Sequence, residues 1–437
     1  MSDIARSTAL CAGLLFSVLP FASAQTATPP AASDFAIHDG DRIVLYGDSI
    51  TDQRLYSTFV EEYVLTRFPR WKNQWTQSGV GGDKVSGGWA GPIDLRIQRD
   101  LLPYRPNIVT IMLGMNDGYY RQPNAAIQKT YEDGYRSMVD TILAGVPGVK
   151  LTLIGPSPHD DVTQPTLHYN EVMQAYSAFD RNEADRTHQS FVDFNAPVVD
   201  VLQKVEAAHP DLASRLIPDR VHPGEGVHWV MAAALLKAWH APALVSSVTV
   251  DAHGAKASDV QNASVTDVKH EKKAGTLEWT EIENALPLPL PLSGTDPITD
   301  LALKAADLET ALDQETLTVT GLAAGEYALT IDNQPVANFT ADALQHGVNL
   351  ARMATPMLRQ SQTLAWETEH RNQLERNLFT LVAGTEKHPD AAPQPEQQAM
   401  QQAVASSIAQ QQKDAQPVTH RFMLKSAEAQ ITPTSTK

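Results

Sequence analysis

From residue 41 to about residue 243, short apolar runs alternate with stretches whose apolar positions recur every three or four residues. The runs 42–47, 75–80, 107–114, 150–155 and 190–194 are short and apolar, the mark of strands buried on both faces. Between them, Leu55, Phe59, Val60, Tyr63 and Val64 fall on one helical face before Pro69 stops the segment. Ile127, Tyr131, Met138 and Ile142 repeat that spacing, and a further helical stretch runs from about Val227 to Trp239. Strand and helix in alternation predict right-handed crossovers, hence a parallel sheet with helices on both faces, an α/β fold. In such sheets sites form beyond the C-terminal strand edge.

Past Ala243 the pattern changes. Residues 245–285 read as short strand-like runs, and Leu286-Pro287-Leu288-Pro289-Leu290-Pro291 as a stiff extended connector. Leu317–Thr320 and Tyr327–Asp332 flank a glycine-containing turn and predict a β-hairpin. A helix is expected over 357–381, and the Gln-, Ala- and Pro-rich residues 385–437 read as a low-complexity tail, disordered or only loosely helical. The expected organisation is therefore a leader over 1–24, an α/β domain over 36–243, a β-rich and helical accessory region over 244–384, and the tail. Structural support of the first domain is the accessory region's expected role, with carbohydrate binding as the alternative.

A chain of 437 residues suits two such parts better than one. Its 34 basic against 51 acidic side chains give a net charge of −17, and only Asp3 and Arg6 of these fall within residues 1–24. A surface so negative repels phosphate backbones and anionic lipid, which argues against nucleic acid and membrane surfaces as partners. Residues 1–24 have the order of a secretory signal: Arg6, an apolar stretch from Ala9 to Phe21, then Ala22-Ser23-Ala24 as a cleavage site. Cleavage there predicts a secreted or periplasmic protein without membrane insertion. Cys11, the chain's one cysteine, lies inside that leader, so the mature protein has neither disulfides nor thiolate chemistry.

The candidate chemistry sits in the loops after the predicted strands. Gly47-Asp48-Ser49-Ile50-Thr51 follows the apolar run Ile43–Tyr46 and precedes an amphipathic segment. A serine there has its hydroxyl at the sheet edge and its N–H at a helix start, where a developing anion is favoured. After the second and third strands come Gly79-Val80-Gly81-Gly82-Asp83 and Gly114-Met115-Asn116-Asp117. Glycine N–H groups and an asparagine amide, with the Ser49 N–H, supply donors that can converge on an oxyanion. A base comes late, in Asp219-Arg220-Val221-His222-Pro223, where the Asp219 carboxylate can hold His222 Nδ1–H and leave Nε2 free for the serine proton. His222, Glu225 and His228 lack a metalloenzyme helix spacing, and neither a metal nor another cofactor is expected. Trp89, Tyr119 and Tyr120 fall in the same loops and offer flat faces with polar tips.

Ser, Gly, Asn and His in this order, opening on Gly-Asp-Ser-Ile and closing on Asp-x-x-His, resemble the SGNH (GDSL-type) hydrolase superfamily over residues 41–243 or so. No serine here has the Gly-x-Ser-x-Gly flanks of the α/β-hydrolase alternative. The resemblance implies a three-layer α/β/α sandwich of flavodoxin-like type. It makes Ser49 the nucleophile, His222 the base oriented by Asp219, and the Ser49 N–H, Gly82 and Asn116 the oxyanion hole, with Gly79 and Gly81 competing for the glycine's role. Asp48, Trp89 and Tyr119 are the expected substrate contacts. The activity implied is ester hydrolysis through an acyl-enzyme. An acetylated carbohydrate is the expected substrate, ahead of lipolytic esters, lysophospholipids, thioesters or a non-catalytic glycan-binding role.

Overall fold

The computed structural model describes residues 34–165, 167–385 and 395–427, so the predicted leader lies outside the described residues. In chain order the first strands are β1 (Arg42–Gly47), β2 (Gln74–Gly79), a two-residue ribbon β3 (Gly87–Gly88) with β4 (Gly91–Pro92), β5 (Ile108–Met112), β6 (Lys150–Gly155) and β7 (Ser190–Asp193). The ribbon apart, these form one parallel sheet ordered β2-β1-β5-β6-β7. The chain winds outward from β1 in both directions, so the direction reverses between β1 and β5. That reversal leaves a crevice at the C-terminal edge.

Helices cover both faces, which is why β5 and nearly all of β1 are buried and need no polar face. Tyr56–Arg67 packs with Glu225–Ala238 in one layer, while Ala125–Gly145 lies with Ile93–Asp100 and Asn170–Thr187 in the other. Ala125–Gly145 is capped by Asn124, whose Oδ1 accepts from the Ala126 and Ile127 N–H groups. Its buried stripe includes Tyr131, Met138 and Ile142 from the sequence pattern. In register, Gly47 lies beside Gly79 on one side and Met112 on the other. The loops that follow the three strands therefore leave the sheet side by side.

Among the described residues the C-terminal region has nine strands: β8 (Leu244–Asp251), β9 (Lys256–Gln261), β10 (Ala263–Glu271), β11 (Thr276–Glu283), β12 (Gln314–Thr320), β13 (Glu326–Ile331), β14 (Gln334–Thr340), β15 (Val348–Asn349) and β16 (His420–Ser426). They form two sheets, β10-β11-β16-β13-β14 and β15-β12-β8-β9, sharing a core that includes Trp279, Leu317, Val319, Leu329, Phe422 and Leu424. Two expectations are corrected here. The runs at 317–320 and 327–332 do not pair as a hairpin, because β12 pairs in parallel with β8 while β13 pairs with β14 and β16. The described part of the expected disordered tail is ordered, with a helix Pro395–Asp414 and then β16 between β11 and β13. Alternation in β16 buries His420, Phe422 and Leu424, and Phe422 stacks on Trp279 with ring centroids 5.2 Å apart.

The Leu-Pro run ties the two parts together. Leu286, Leu288 and Leu290 are fully buried, the first in the C-terminal core and the other two in the core of the parallel-sheet part. Each of the three leucines contributes roughly 1.5–3 kcal/mol of burial. The helix expected over 357–381 spans Pro356–Thr385 and lies along Tyr56–Arg67. Arg371 Nη2 donates to Glu61 Oε1 at 2.6 Å, and Asn372 Nδ2 to Thr58 Oγ1 at 2.6 Å. Among the described residues no helix is long and apolar enough to cross a membrane.

Candidate active site

Ser49 opens a one-turn helix, Ser49–Asp52, directly after β1. Gly79 on the neighbouring strand makes room for it: a Cβ there would lie 2.3 Å from the Asp52 nitrogen, so any larger residue would push the turn away. Asp48 caps the turn by accepting from Ile50 N–H at 3.0 Å. Its side chain is buried, and burial pushes its carboxyl up to about 7. The expected substrate contact at Asp48 is thus corrected: a buried cap has no surface to present to a ligand.

The structure brings the distant acid-base pair to this serine. His222 Nε2 lies 2.9 Å from Ser49 Oγ, and His222 Nδ1 lies 2.7 Å from Asp219 Oδ2. Asp219 Oδ1 also accepts the backbone N–H groups of Val221 and His222, at 3.0 and 2.7 Å. Partial burial raises the Asp219 carboxyl, but the His222 and Val221 donors outweigh it and hold the group below its usual range. An ionised Asp219 therefore fixes the tautomer with hydrogen on Nδ1, leaving the Nε2 lone pair directed at the serine hydroxyl. Arg220 sits in the left-handed region at φ 71°, and its backbone and guanidinium both bond Asp160 in the loop after β6. Those contacts hold a strained residue in place between the acid and the base.

His228 does not join the catalytic pair in any ligand cluster. It is buried, receives the Tyr56 N–H on Nδ1 at 3.2 Å, and faces Gln53 Oε1 with Nε2 at 3.2 Å. Burial lowers it to about 3, so it stays a neutral structural ring. Gln53 in turn donates to the Pro223 carbonyl at 3.3 Å, tying the residue after His222 to the end of the serine turn.

The glycine and asparagine loops meet at Asp83. Asn116 Nδ2 donates to the Asp83 carbonyl at 3.0 Å, which leaves its second hydrogen free, and Tyr120 OH donates to Asn116 Oδ1 at 3.2 Å. Gly82, just before Asp83, adopts φ +77°, a conformation natural to glycine, with open space where a Cβ would stand. Among the described residues neither Ser49 N–H nor Gly82 N–H meets an acceptor. Of the competing glycines, Gly79 is occupied in close packing against the serine turn, and at Gly81 the nearest atom to a Cβ is Asp52 Oδ2 at 3.8 Å.

Three supporting groups were not singled out in the sequence. Arg96, fully buried, donates through Nε to Asp83 Oδ2 at 2.9 Å and bonds Asp100 as well. Asp117 accepts Val85 N–H at 3.0 Å and so braces the glycine loop against the asparagine loop. The helix Pro356–Thr385 supplies Arg376, which donates to the Asp52 carbonyl and lies 3.7 Å from the Asp52 carboxylate, while Arg54 donates to the Asn372 carbonyl at 2.8 Å. Phe379 on the same helix sits about 6.0 Å from the Arg96 guanidinium. The Gly-Gly-Asp spelling hinted at Asp83, but nothing local marks residues some 300 positions away as partners of the serine turn. Trp89 and Tyr119 stand at the surface, 68% and 53% exposed, and Lys84 Nζ lies 5.7 Å from the Tyr119 ring centre.

Residues 45–230 match the family model described as GDSL-like Lipase/Acylhydrolase. A curated acetylxylan esterase from Geobacillus stearothermophilus is 26% identical over 220 residues, covering 46% of this chain and 94% of that protein. Among solved structures, a gut microbial diltiazem-metabolizing enzyme aligns over 89% of this chain and 98% of its own with a TM-score of 0.78 and 24% identity. Its likeness extends the shared fold into the C-terminal region. A crystal structure of an acetylxylan esterase from Geobacillus stearothermophilus aligns over 47% of this chain and 96% of its own, with 23% identity and a TM-score of 0.39. Residues 45–230 are thus similar to the GDSL-like lipase/acylhydrolase domain of SGNH type, and that match together with the esterase relative supports an esterase enzyme.

Proposed function

We propose that this esterase removes short acyl groups, acetyl above all, from a carbohydrate outside the cytoplasm. In this reading Ser49 Oγ attacks the ester carbonyl while His222 Nε2 takes the hydroxyl proton, and the resulting imidazolium is stabilised by Asp219. The oxyanion of the tetrahedral intermediate accepts from the Ser49 and Gly82 N–H groups and from the free Asn116 Nδ2–H. His222 returns its proton to the departing sugar oxygen, leaving an acyl-serine. Water, deprotonated by the same imidazole, then releases acetate and restores Ser49.

The observation that carries the chemistry is the continuous Ser49–His222–Asp219 relay, with contacts of 2.9 and 2.7 Å. The substrate class is supported by the mouth around it, where Trp89, Tyr119 and Tyr120 are exposed among glycines and polar residues instead of an apolar rim. Similarity to an acetylxylan esterase over nearly all of that protein's length points the same way. Export, expected from residues 1–24, suits a polymer that stays outside the cell. The test is a series of esters from acetyl to octanoyl on one leaving group, run beside acetylated xylan. A steep fall in kcat/KM with chain length and release of acetate from the glycan are expected. Preference for octanoyl without acetate release from any acetylated glycan makes the enzyme lipolytic instead.

A further inference from the structure

A cavity of about 550 Å³ opens between the helices Tyr56–Arg67 and Pro356–Thr385 and meets the catalytic loops at Gln53. That volume falls within the roughly 300–1,000 Å³ of small-molecule sites. Its walls combine aromatic faces with polar groups. Phe59 and Trp229 stack at 3.9 Å with planes 3° apart, and Trp366, 59% exposed, is held by His370 at 3.9 Å between ring centres. Glu62 lines the cavity, its side chain is almost wholly buried, and its Oε2 has no hydrogen-bond partner.

The lining decides among ligand classes. Glu225 and Glu369 border the space, so an anion meets repulsion there. Arg54 and Arg376 border it too, which removes the advantage a cation would have. An acyl tail would displace water from the polar lining, Gln362 and Gln373 among it, without replacing the hydrogen bonds that water makes there. A neutral polyhydroxylated ligand avoids all three penalties, stacking its C–H faces on the rings while its hydroxyls serve the carboxyl and amide groups. Burial, then Glu61, Glu225 and Glu369, raise the Glu62 carboxyl well above its usual range.

The position decides which part of the substrate goes there. Gln53 lines the cavity and donates to Pro223 beside His222, so the space begins where the serine turn and the histidine loop end. Building on the carbohydrate reading above, we infer that this cleft is a saccharide subsite, with its outer wall supplied by the C-terminal helix, that holds sugar residues flanking the esterified one. The appended region then contributes to substrate recognition besides covering the first part's surface.

The test compares Trp366→Ala with wild type on acetylated xylooligosaccharides and on p-nitrophenyl acetate. Trp366 is mostly exposed, so the substitution leaves the core intact. Loss of one stacking face is expected to raise KM for the oligosaccharides about tenfold with kcat little changed, while p-nitrophenyl acetate kinetics stay within about twofold. Unchanged KM on oligosaccharides that wild type deacetylates, or an equal change on both substrates, overturns the subsite and leaves the carbohydrate reading standing. If no acetylated oligosaccharide yields acetate with wild type, the carbohydrate reading and the subsite fall together.

Discussion

At the scale of single residues, the site separates groups that exchange a proton from groups that orient them. Asp219 orients: it bonds His222 Nδ1 at 2.7 Å and is itself held by two backbone donors. Asp219→Asn keeps the shape but can present an N–H where the carboxylate accepted, turning the imidazole to the wrong tautomer. A loss in kcat on the order of a thousandfold is expected, with KM nearly unchanged. Loss below tenfold in steady-state kinetics would show that the ring is held by other contacts. Asn116 works on the other side of the reacting carbon. Asn116→Ala removes one oxyanion donor and should lower kcat by about a hundredfold, whereas a change confined to KM would assign it to substrate positioning. The positions of Ser49 and Asn116 were legible because each lies in a loop that follows a strand, and the Asp219–His222 pairing because the two are three residues apart in a loop ahead of a helix. Asp48 was misjudged because a capping acid and a ligand-facing acid look alike in sequence. Only the burial of its side chain and its bond to Ile50 N–H tell them apart.

At the scale of elements, the first part was readable because its inner strands are covered on both faces and helices such as Ala125–Gly145 carry a buried stripe, patterns written in their own residues. The parallel β8–β12 pairing and the insertion of β16 were not, because which strands pair depends on partners 69 to 149 residues away. The helix Pro356–Thr385 was readable as a helix, yet its purpose was hidden in contacts with the start of the chain. It touches both halves of the catalytic edge: Arg376 bonds the carbonyl of Asp52, three residues past Ser49, and Phe379 lies against Arg96, which clamps Asp83. The helix therefore acts as a brace across the nucleophile turn and the oxyanion loop. Arg376→Ala should lower kcat about tenfold on small and large esters alike, since small misplacements of a nucleophile are costly to rate. A drop in melting temperature with kcat unchanged would reduce Arg376 to a packing contact.

At the scale of the whole molecule, the two parts meet around a buried charge cluster. Arg67 ends the helix Tyr56–Arg67 and donates to the Leu312 carbonyl at 2.8 Å, with Asp313 Oδ1 at 3.3 Å. Glu281, Glu283 and Glu315 are buried nearby, and Ser246 Oγ donates to Glu283 at 2.6 Å. One guanidinium offsets at most one of four negative charges, so the others are best held neutral. Burial first of all pushes Glu281 and Asp313 up to about 7 and Glu283 up to about 8, and raises Glu315 well above the usual glutamate range. The folded state thus binds protons that the unfolded chain, with ordinary values of 3.8 and 4.5, has already released at neutral pH. Stability from these groups is complete below about pH 4 and is lost as pH rises through the folded values near 7 to 8. Calorimetry should show the melting temperature falling between pH 5 and pH 9. Glu283→Gln, which preserves the shape and an acceptor for Ser246 without titrating, should flatten part of that fall. A melting temperature that holds steady or climbs over this range would mean that the cluster is ionised in the folded protein, and that water or a cation reaches the junction.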